Sequence, residues 1–153
     1  MAEPKFISKP GQVDYTNIRY APALNVVVTF KGKVLLVKRS ADLRLYPNVW
    51  ASIAGFLDDN QSIEQKAYEE LHEELGLTKH EVISLQRGSP LLREDETLDK
   101  TWLIVPVLAR VTTGHFQLDW EASQAQWFDP DDIAKLKPML LPELDKVIGQ
   151  FFP

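Results

Sequence analysis

Residues 55–77 read GFLDDNQSIEQKAYEELHEELGL, and this loop-then-helix stretch decides the fold. LDDN has turn chemistry, and Ser62 is suited to cap a helix N-terminus. Neither Gly nor Pro interrupts the run to Leu75, and Gly76 follows where a left-handed C-terminal residue is expected. Ile63, Ala67, Leu71 and Leu75 recur every four residues and form one apolar stripe. Asp58, Asp59, Glu69, Glu70, Glu73 and Glu74 crowd the remaining surface, where each like-charged i,i+4 pair costs roughly a few tenths of a kcal/mol. Glu70, Glu73 and Glu74 stand at i, i+3 and i+4, so they share one face within a turn and can chelate. A hard ion such as Mg²⁺ or Mn²⁺ prefers oxygen ligands and commonly shares them with substrate phosphates. The competing reading is a solvated acidic face. Against it stands the context: the acidic turn follows a glycine-terminated strand, and the apolar stripe docks the helix on a sheet.

Outward from this stretch the sequence alternates strands and turns. APALNVVVTF (21–30) and KVLLVKRS (33–40) are β-branched runs joined by Lys31-Gly32, a hairpin. ADLRLYPN (41–48) is a loop, and VWASIAGF (49–56) a third, buried strand. Beyond the helix, EVISLQRGSPLL (81–92) is strand-like with a Gly-Ser-Pro break, and REDETLD (93–99) is a charged loop. KTWLIVPVLARVT (100–112) is a long strand and AQWFD (125–129) another. Pro130-Asp131-Asp132 opens a short helix, and LPELDKVIGQFF (141–152) is a C-terminal amphipathic helix with Leu144, Val147, Ile148 and Phe151 on one side.

A chain of 153 residues, 44% hydrophobic and 25% charged, fits one domain over 1–153 that buries roughly two thirds of its unfolded surface. Residues 1–20 read as an N-terminal extension without the apolar core of a secretory signal, and no stretch approaches the ~20 apolar residues of a membrane helix. A cytoplasmic location without membrane contact is expected. A net charge of −5 with no basic run argues against duplex nucleic acid as a partner. The absence of cysteine excludes disulfides, zinc ribbons, iron–sulfur clusters and thiol catalysis.

The stretch 55–77 resembles the signature of the Nudix hydrolases, G-x5-E-x7-R-E-U-x-E-E-x-G-U with U a bulky aliphatic residue. Gly55, Glu70, Leu71, Glu73, Glu74, Gly76 and Leu77 match in register. VKRS and YPNVWASIAGF before it, and AQWFDPDDI after it, are similar to the family's layout, so the resemblance covers most of the chain. Two positions depart: Gln61 stands where the family has Glu, and Glu69 where it has Arg. In the family those two residues resemble an ion pair bracing loop against helix. Here a Gln61 amide donating to the Glu69 carboxylate is expected to replace it, with Gly55, Gln61 and Glu69 forming the structural brace.

The resemblance implies an α/β/α sandwich with a mixed sheet. It also implies a metal-dependent hydrolase acting on a nucleoside diphosphate linked to another moiety, X, by water attack on phosphorus. Glu70, Glu73 and Glu74 would hold Mg²⁺ or Mn²⁺, and Glu73 and Glu121 would carry catalysis. Glu121 lies six residues before Trp127, a spacing at which some family members place a base. Glu94, Asp95 and Glu96 compete with it, and a solvated loop glutamate is the bland reading of Glu121. Arg39 and Arg93 are substrate-binding candidates, since a guanidinium grips phosphate bidentately; a surface ion pair is the alternative for Arg39. Trp50, Trp102 and Trp127 read as core. SIAGF resembles pyrophosphatases of nicotinamide dinucleotides, but their zinc cysteines and SQPWPFP motif are absent, so X stays open, as does a homodimer. The rival readings are a noncatalytic Nudix-fold module binding a nucleotide or protein and, less well matched for want of cysteine, isopentenyl diphosphate isomerase.

Overall fold

The computed structural model describes residues 5–153. Its elements in chain order are β1 (Tyr20–Phe30), β2 (Lys33–Arg39), β3 (Trp50–Ala51), β4 (Ile53–Phe56), α1 (Ile63–Leu75), β5 (Val82–Arg87), β6 (Leu91–Asp95), β7 (Lys100–Val111), β8 (Ala122–Phe128) and α2 (Leu144–Gly149). Short 3-10 helices cover Lys79–Glu81 and Pro130–Leu136. The two longest strands, β1 and β7, run parallel side by side from Tyr20 opposite Thr101 to Thr29 opposite Arg110. Every other pairing between these strands is antiparallel, so the sheet is mixed.

Each long strand divides its free edge between two partners. β2 pairs with β1 only near the hairpin turn, from Val28 opposite Leu35 to Phe30 opposite Lys33. Its other edge pairs with β8 from Val34 opposite Phe128 to Arg39 opposite Ala122, and beyond the β1 pairing it takes β3 at Val37 and Lys38. β4 takes the vacated edge of β1, with Ala23 opposite Phe56 and Val26 opposite Ile53. A cleft opens where β2 leaves. On the far edge of β7, β6 pairs with residues 100–104 and β5 with 107–111.

Successive strand residues face opposite sides, which builds two cores. Val34 and Leu36 join Val27, Trp102, Ile104 and the α2 residues Leu144, Val147 and Ile148 on one face. Leu35 and Val37 join Val26, Val107 and the α1 stripe Ala67, Leu71 and Leu75 on the other. Burial on both faces explains why these strands read as continuous apolar runs rather than alternating ones. The result is an α/β/α sandwich. α1 itself forms as its sequence requires: Ser62 and Gln65 make a reciprocal capping box, and Gly76 closes the helix in the left-handed conformation at φ 70°. Among the described residues no helix is long and apolar enough to cross a membrane.

Several boundaries differ from the sequence expectation. The segment 49–56 breaks at Ser52 into two strands, because its halves pair with different neighbours. Arg93, Glu94 and Asp95, expected in a loop, extend β6 opposite Trp102, Thr101 and Lys100. Alternation makes this tolerable: Glu94 points to water, while Arg93 and Asp95 find partners inside. β8 begins at Ala122 rather than Ala125. The C-terminal helix starts only at Leu144, because Trp50 pairs its backbone with Met139 and Leu141 and Glu143 adopts a positive φ of 70°. Residues 12–18, outside the sandwich, strap across the loop before α1. Val13 N donates to Asp58 O at 2.6 Å, Tyr15 stacks on Phe56 with centroids 6.0 Å apart, and Lys100 Nζ donates to the Tyr15 and Ile18 carbonyls.

Candidate active site

The i,i+4 row of α1 that borders β4 carries Glu70 and Glu74, both only 8% exposed, whereas the neighbouring Glu73 is exposed. Glu70 fits because Gly55 has no side chain: a Cβ there would fall 2.3 Å from Glu70 Oε1 and 2.5 Å from its Cδ. Burial pushes the Glu70 carboxyl up to about 7, helped by repulsion from Glu73 and Glu121 and opposed by a hydrogen bond with Glu74 and by Lys66. Burial also drives Glu74 well above the carboxylate range, with Glu121, Glu70 and Asp119 adding to it. The hydrogen bond between the two favours the ionised form of Glu70 and the protonated form of Glu74. Even so, Glu74 Oε2 is buried without a hydrogen-bond partner. Glu73 is raised by burial and then by Glu69.

The loop before β8 brings two more carboxylates to this cluster. Glu121 is tied by its backbone, its N–H donating to Asp119 Oδ1 at 3.0 Å and its carbonyl accepting from Ser40 N at 2.8 Å. Its charge acts on both Glu70 and Glu74. None of its competitors has that position: Glu94 is exposed on β6, Asp95 accepts from Tyr46 Oη and from Leu98 N, and Glu96 lies in the turn after β6. Asp119, raised by burial and acting on Glu73 and Glu74, escaped the sequence reading. Its one signal was its place two residues before Glu121.

The carboxylates on the opposite flank of the helix share one internal cation. Gln61 Nε2 donates to Glu69 Oε2 at 3.0 Å, the contact expected from the sequence, and also to Asp59 Oδ2 at 3.0 Å. The cation missing from position 69 is supplied by Lys66, one turn earlier. Its Nζ lies 2.9 Å from Glu69 Oε2, 3.2 Å from Asp59 Oδ2 and 3.4 Å from Asp58 Oδ1. Burial alone would lower the Lys66 pKa, but hydrogen bonds to Glu69 and Asp59 and the charge of Asp58 more than offset it and hold it above its ordinary value. The i,i+3 spacing of Lys66 and Glu69 was the available signal.

Beside the carboxylates, between β1, β4 and β7, lies a cavity of ≈ 160 Å³. Gly55 and Glu121 line it, so it adjoins the cluster. Both candidate arginines also line it, in different ways. Arg39 commits Nε and Nη2 to the carbonyls of Leu45 and Tyr46 at 3.0–3.2 Å and so holds the 41–48 loop. Arg93, 9% exposed, donates from Nη1 to Pro142 O at 2.8 Å and from Nη2 to Tyr46 Oη at 3.3 Å, and its Nε–H is buried and unpaired. Trp102, expected in the core, is buried there and also walls this cavity.

No group of three or more His, Cys, Asp or Glu side chains among the described residues is arranged to hold a metal as it stands. The chemistry of the site nevertheless fits a hard cation. The donors are all carboxylate oxygens, one of them is an orphan inside the protein, and Gly55 clears the space in which Glu70 sits. A cation placed among Glu70, Glu74 and their neighbours would favour their ionised forms and relieve their mutual repulsion.

Comparison with known proteins gives the family that the sequence of residues 55–77 resembles. Residues 19–151 match the model of the NUDIX domain. An RNA pyrophosphohydrolase of Haemophilus influenzae strain PittEE is 41% identical over 75 residues, covering 48% of this chain and 36% of the relative. A NAD-capped RNA hydrolase, NudC, of Stutzerimonas stutzeri is 37% identical over 62 residues, covering 40% and 21%. These matches thus reach about a third or less of the curated relatives' length. The crystal structure of a MutT protein from Methanosarcina mazei Go1 superposes with a TM-score of 0.74 at 18% identity, over 89% of this chain and 95% of that one. With the match spanning nearly all of the sheet, both helices and the carboxylate cluster, the chain belongs to the NUDIX family.

Proposed function

We propose that the chain hydrolyses the pyrophosphate bond of a nucleoside diphosphate linked to a second moiety, X, in a reaction dependent on Mg²⁺ or Mn²⁺. The observation that carries this reading is the buried Glu70–Glu74 pair, with its orphan oxygen and its neighbour Glu121, adjoining a cavity of ≈ 160 Å³. Glu70, Glu73 and Glu74 would hold the ion. When bound, it neutralises phosphate charge and lowers the pKa of a water. Glu121 accepts the proton of the attacking water as oxygen bonds to phosphorus. The bridging P–O bond then breaks, and the leaving phosphate takes the electron pair. Arg39 keeps the 41–48 loop at the cavity wall rather than contacting phosphate directly. The names of the curated relatives support the reaction class, and X stays open between a sugar, a second nucleotide and an RNA end.

Incubating the protein with Mg²⁺ or Mn²⁺ and a panel of nucleoside diphosphate derivatives, with phosphatase-coupled phosphate release as readout, tests the reading. Glu70→Gln, Glu73→Gln and Glu74→Gln should each abolish release. Release surviving all three removes the metal assignment. A second reading, a noncatalytic nucleotide-binding module, is favoured by the lack of a ready three-ligand arrangement among the described residues. Tight nucleotide binding without turnover on any substrate would establish it.

A further inference from the structure

Residues 12–18 precede the segment 19–151 that matches the NUDIX domain, yet they hold residues of the candidate site. Val13 and Ile18 are 42% and 44% exposed, so the segment adds little apolar surface to either core. What fixes it is polar and aromatic. The Gln12 side chain is engaged at both ends, Oε1 accepting from Lys9 N and Nε2 donating to Asp58 Oδ2, each at 3.0 Å. Val13 N donates to Asp58 O, and the Tyr15 ring lies nearly parallel to Phe56, with 13° between their planes. Leu57, between those two contacts, donates its N–H to Pro22 O at 3.1 Å.

The contacts close on themselves. Phe56 and Trp102 both line the cavity, with centroids 5.7 Å apart, and Lys100 Nζ lies 5.9 Å from the Trp102 centroid. Lys100 is only 6% exposed, and its Nζ donates to the carbonyls of Tyr15 and Ile18. Tyr15 therefore reaches Phe56 through its ring and, by way of Lys100, Trp102 through its carbonyl. It does so from behind, since Tyr15 does not itself line the cavity. Release of the segment would strip a buried ammonium of two acceptors, which is costly. At the other end Asp58 is shared, with Oδ2 held by Gln12 and Oδ1 3.4 Å from Lys66 Nζ, so the segment also joins the brace at the foot of α1. Gly55, which leaves room for the Glu70 carboxyl, directly precedes Phe56.

We propose that residues 12–18 are a positioning strap of the active site: Tyr15 sets the Phe56–Trp102 wall of the cavity, while Gln12 and Val13 set the stretch that runs from Gly55 to Asp58. Wall and loop are then ordered before a ligand arrives, and less ordering is left for binding to accomplish. The proposal rests on the reading of cavity and carboxylates as a nucleotide site, and it adds positioning residues from outside the matched domain.

The test uses the full chain. Tyr15→Leu keeps apolar bulk and loses the stack, Tyr15→Phe keeps the stack as the conservative control, and Gln12→Ala removes the donor to Asp58. Amide hydrogen exchange is read at Val13 and Leu57, whose N–H groups bond at the junction, with the fully buried Leu71 and Val107 as references. In Tyr15→Leu and Gln12→Ala the junction amides should exchange up to about tenfold faster, the worth of one aromatic pair or hydrogen bond, and the references should not change. On any diphosphate hydrolysed with Mg²⁺, KM should rise in the same proportion while kcat stays within about twofold, and Tyr15→Phe should match the wild type in both readouts. Wild-type exchange at Val13 and Leu57 in a folded Tyr15→Leu overturns the strap. So does faster exchange with KM unchanged, which reduces the segment to packing. If Tyr15→Leu does not fold, Gln12→Ala decides by the same criteria. If no diphosphate is hydrolysed, the proposed reaction fails and the dissociation constant of ADP replaces KM: weaker ADP binding in the variants upholds the strap, and equal or absent binding overturns it.

Discussion

Replacing Lys66 by Met keeps the aliphatic stem inside α1's buried face and removes only the charge, so it isolates what that cation contributes. In the wild type one ammonium serves three carboxylates at 2.9–3.4 Å. The Lys66 and Asp58 side chains are 8% and 7% exposed, while Asp59 and Glu69 are 25% and 35% exposed. Removing one partner of a fully buried pair costs about 3–5 kcal/mol because the other charge is left uncompensated. Here only Asp58 is stranded in that sense, and it keeps a hydrogen bond from Gln12 Nε2 at 3.0 Å. The expected loss is therefore at the lower end, about 3 kcal/mol, a large part of the ~5–15 kcal/mol stability of an ordinary domain.

The loss should depend on pH with a definite sign. Burial opposes ionisation of Asp59, but hydrogen bonds from Gln61 and Lys66 win and hold its carboxyl below 3.8. A depressed carboxyl contributes stability that is present above its unfolded pKa and lost as pH falls through the folded one. Lys66 is raised, so its contribution persists until pH climbs past 10.5. The gap between wild type and Lys66→Met should accordingly be full near neutral pH and shrink below about pH 4, as pH falls toward the depressed Asp59 carboxyl. Urea denaturation at pH 7 and pH 3 measures both values, and Lys66→Met with Glu69→Gln should recover part of the loss at pH 7. A gap under about 1 kcal/mol at pH 7, or one equal at the two pH values, would refute the brace as an electrostatic device.

Gln61→Glu replaces a donor to two carboxylates with a further carboxylate at an exposed position and should cost about 1 kcal/mol. Adding Glu69→Arg should restore it, since the new carboxylate at position 61 then faces two cations together with Asp58 and Asp59; identical denaturation midpoints for the single and double variants would remove the idea. Gly55→Ala puts a methyl group 2.3 Å from Glu70 Oε1, so the carboxyl must leave its place, and Mn²⁺ binding followed by electron paramagnetic resonance should be lost in a folded protein. Unchanged Mn²⁺ affinity there would dissociate Glu70 from the metal. Glu70, raised by burial to about 7, contributes stability that is present below its ordinary 4.5 and is lost as pH rises through about 7. The Tm difference between Mg²⁺-saturated and chelator-treated protein should widen from pH 5 to pH 8, and a flat difference contradicts proton–metal competition at this site.

What the sequence made legible is what local rules determine. The bounds of α1 follow from Ser62 and Gly76, and its docking face from the spacing of Ala67, Leu71 and Leu75. The Gln61–Glu69 contact followed from charge logic at two positions. Spacing also put Glu70, Glu73 and Glu74 on one face. It did not show that Glu70 and Glu74 are buried while Glu73 is exposed, because that depends on Gly55 lying under the helix, a tertiary fact. Arg93 to Asp95 looked like loop because they are charged, and they form a strand because β7 supplies a partner at the right register. The split at Ser52 and the early start of β8 have the same origin in distant partners.

The two acidic flanks of α1 carry similar side chains and opposite solutions to the same electrostatic difficulty. On one flank Asp58, Asp59 and Glu69 surround a covalently attached cation, and Gln61 adds donors, so these carboxylates have a partner cation at any metal concentration. On the other, burial raises the proton affinity of Glu70 and Glu74, the charge of Glu121 adds to both and that of Asp119 to Glu74, with Lys66 exerting only a partial opposing influence on Glu70. A permanent cation suits a brace, because its task is to hold the loop in every state of the protein. It would defeat a site whose ligand must be exchangeable and must share its coordination with phosphate. The departure at positions 61 and 69 is therefore compatible with an intact site: moving the positive charge from 69 to 66 changes how the loop is tied down and leaves the Glu70–Glu74 pair in need of a cation from solution. Relocated charge and retained carboxylates are thus separable by mutation, the first reporting in stability and the second in metal binding.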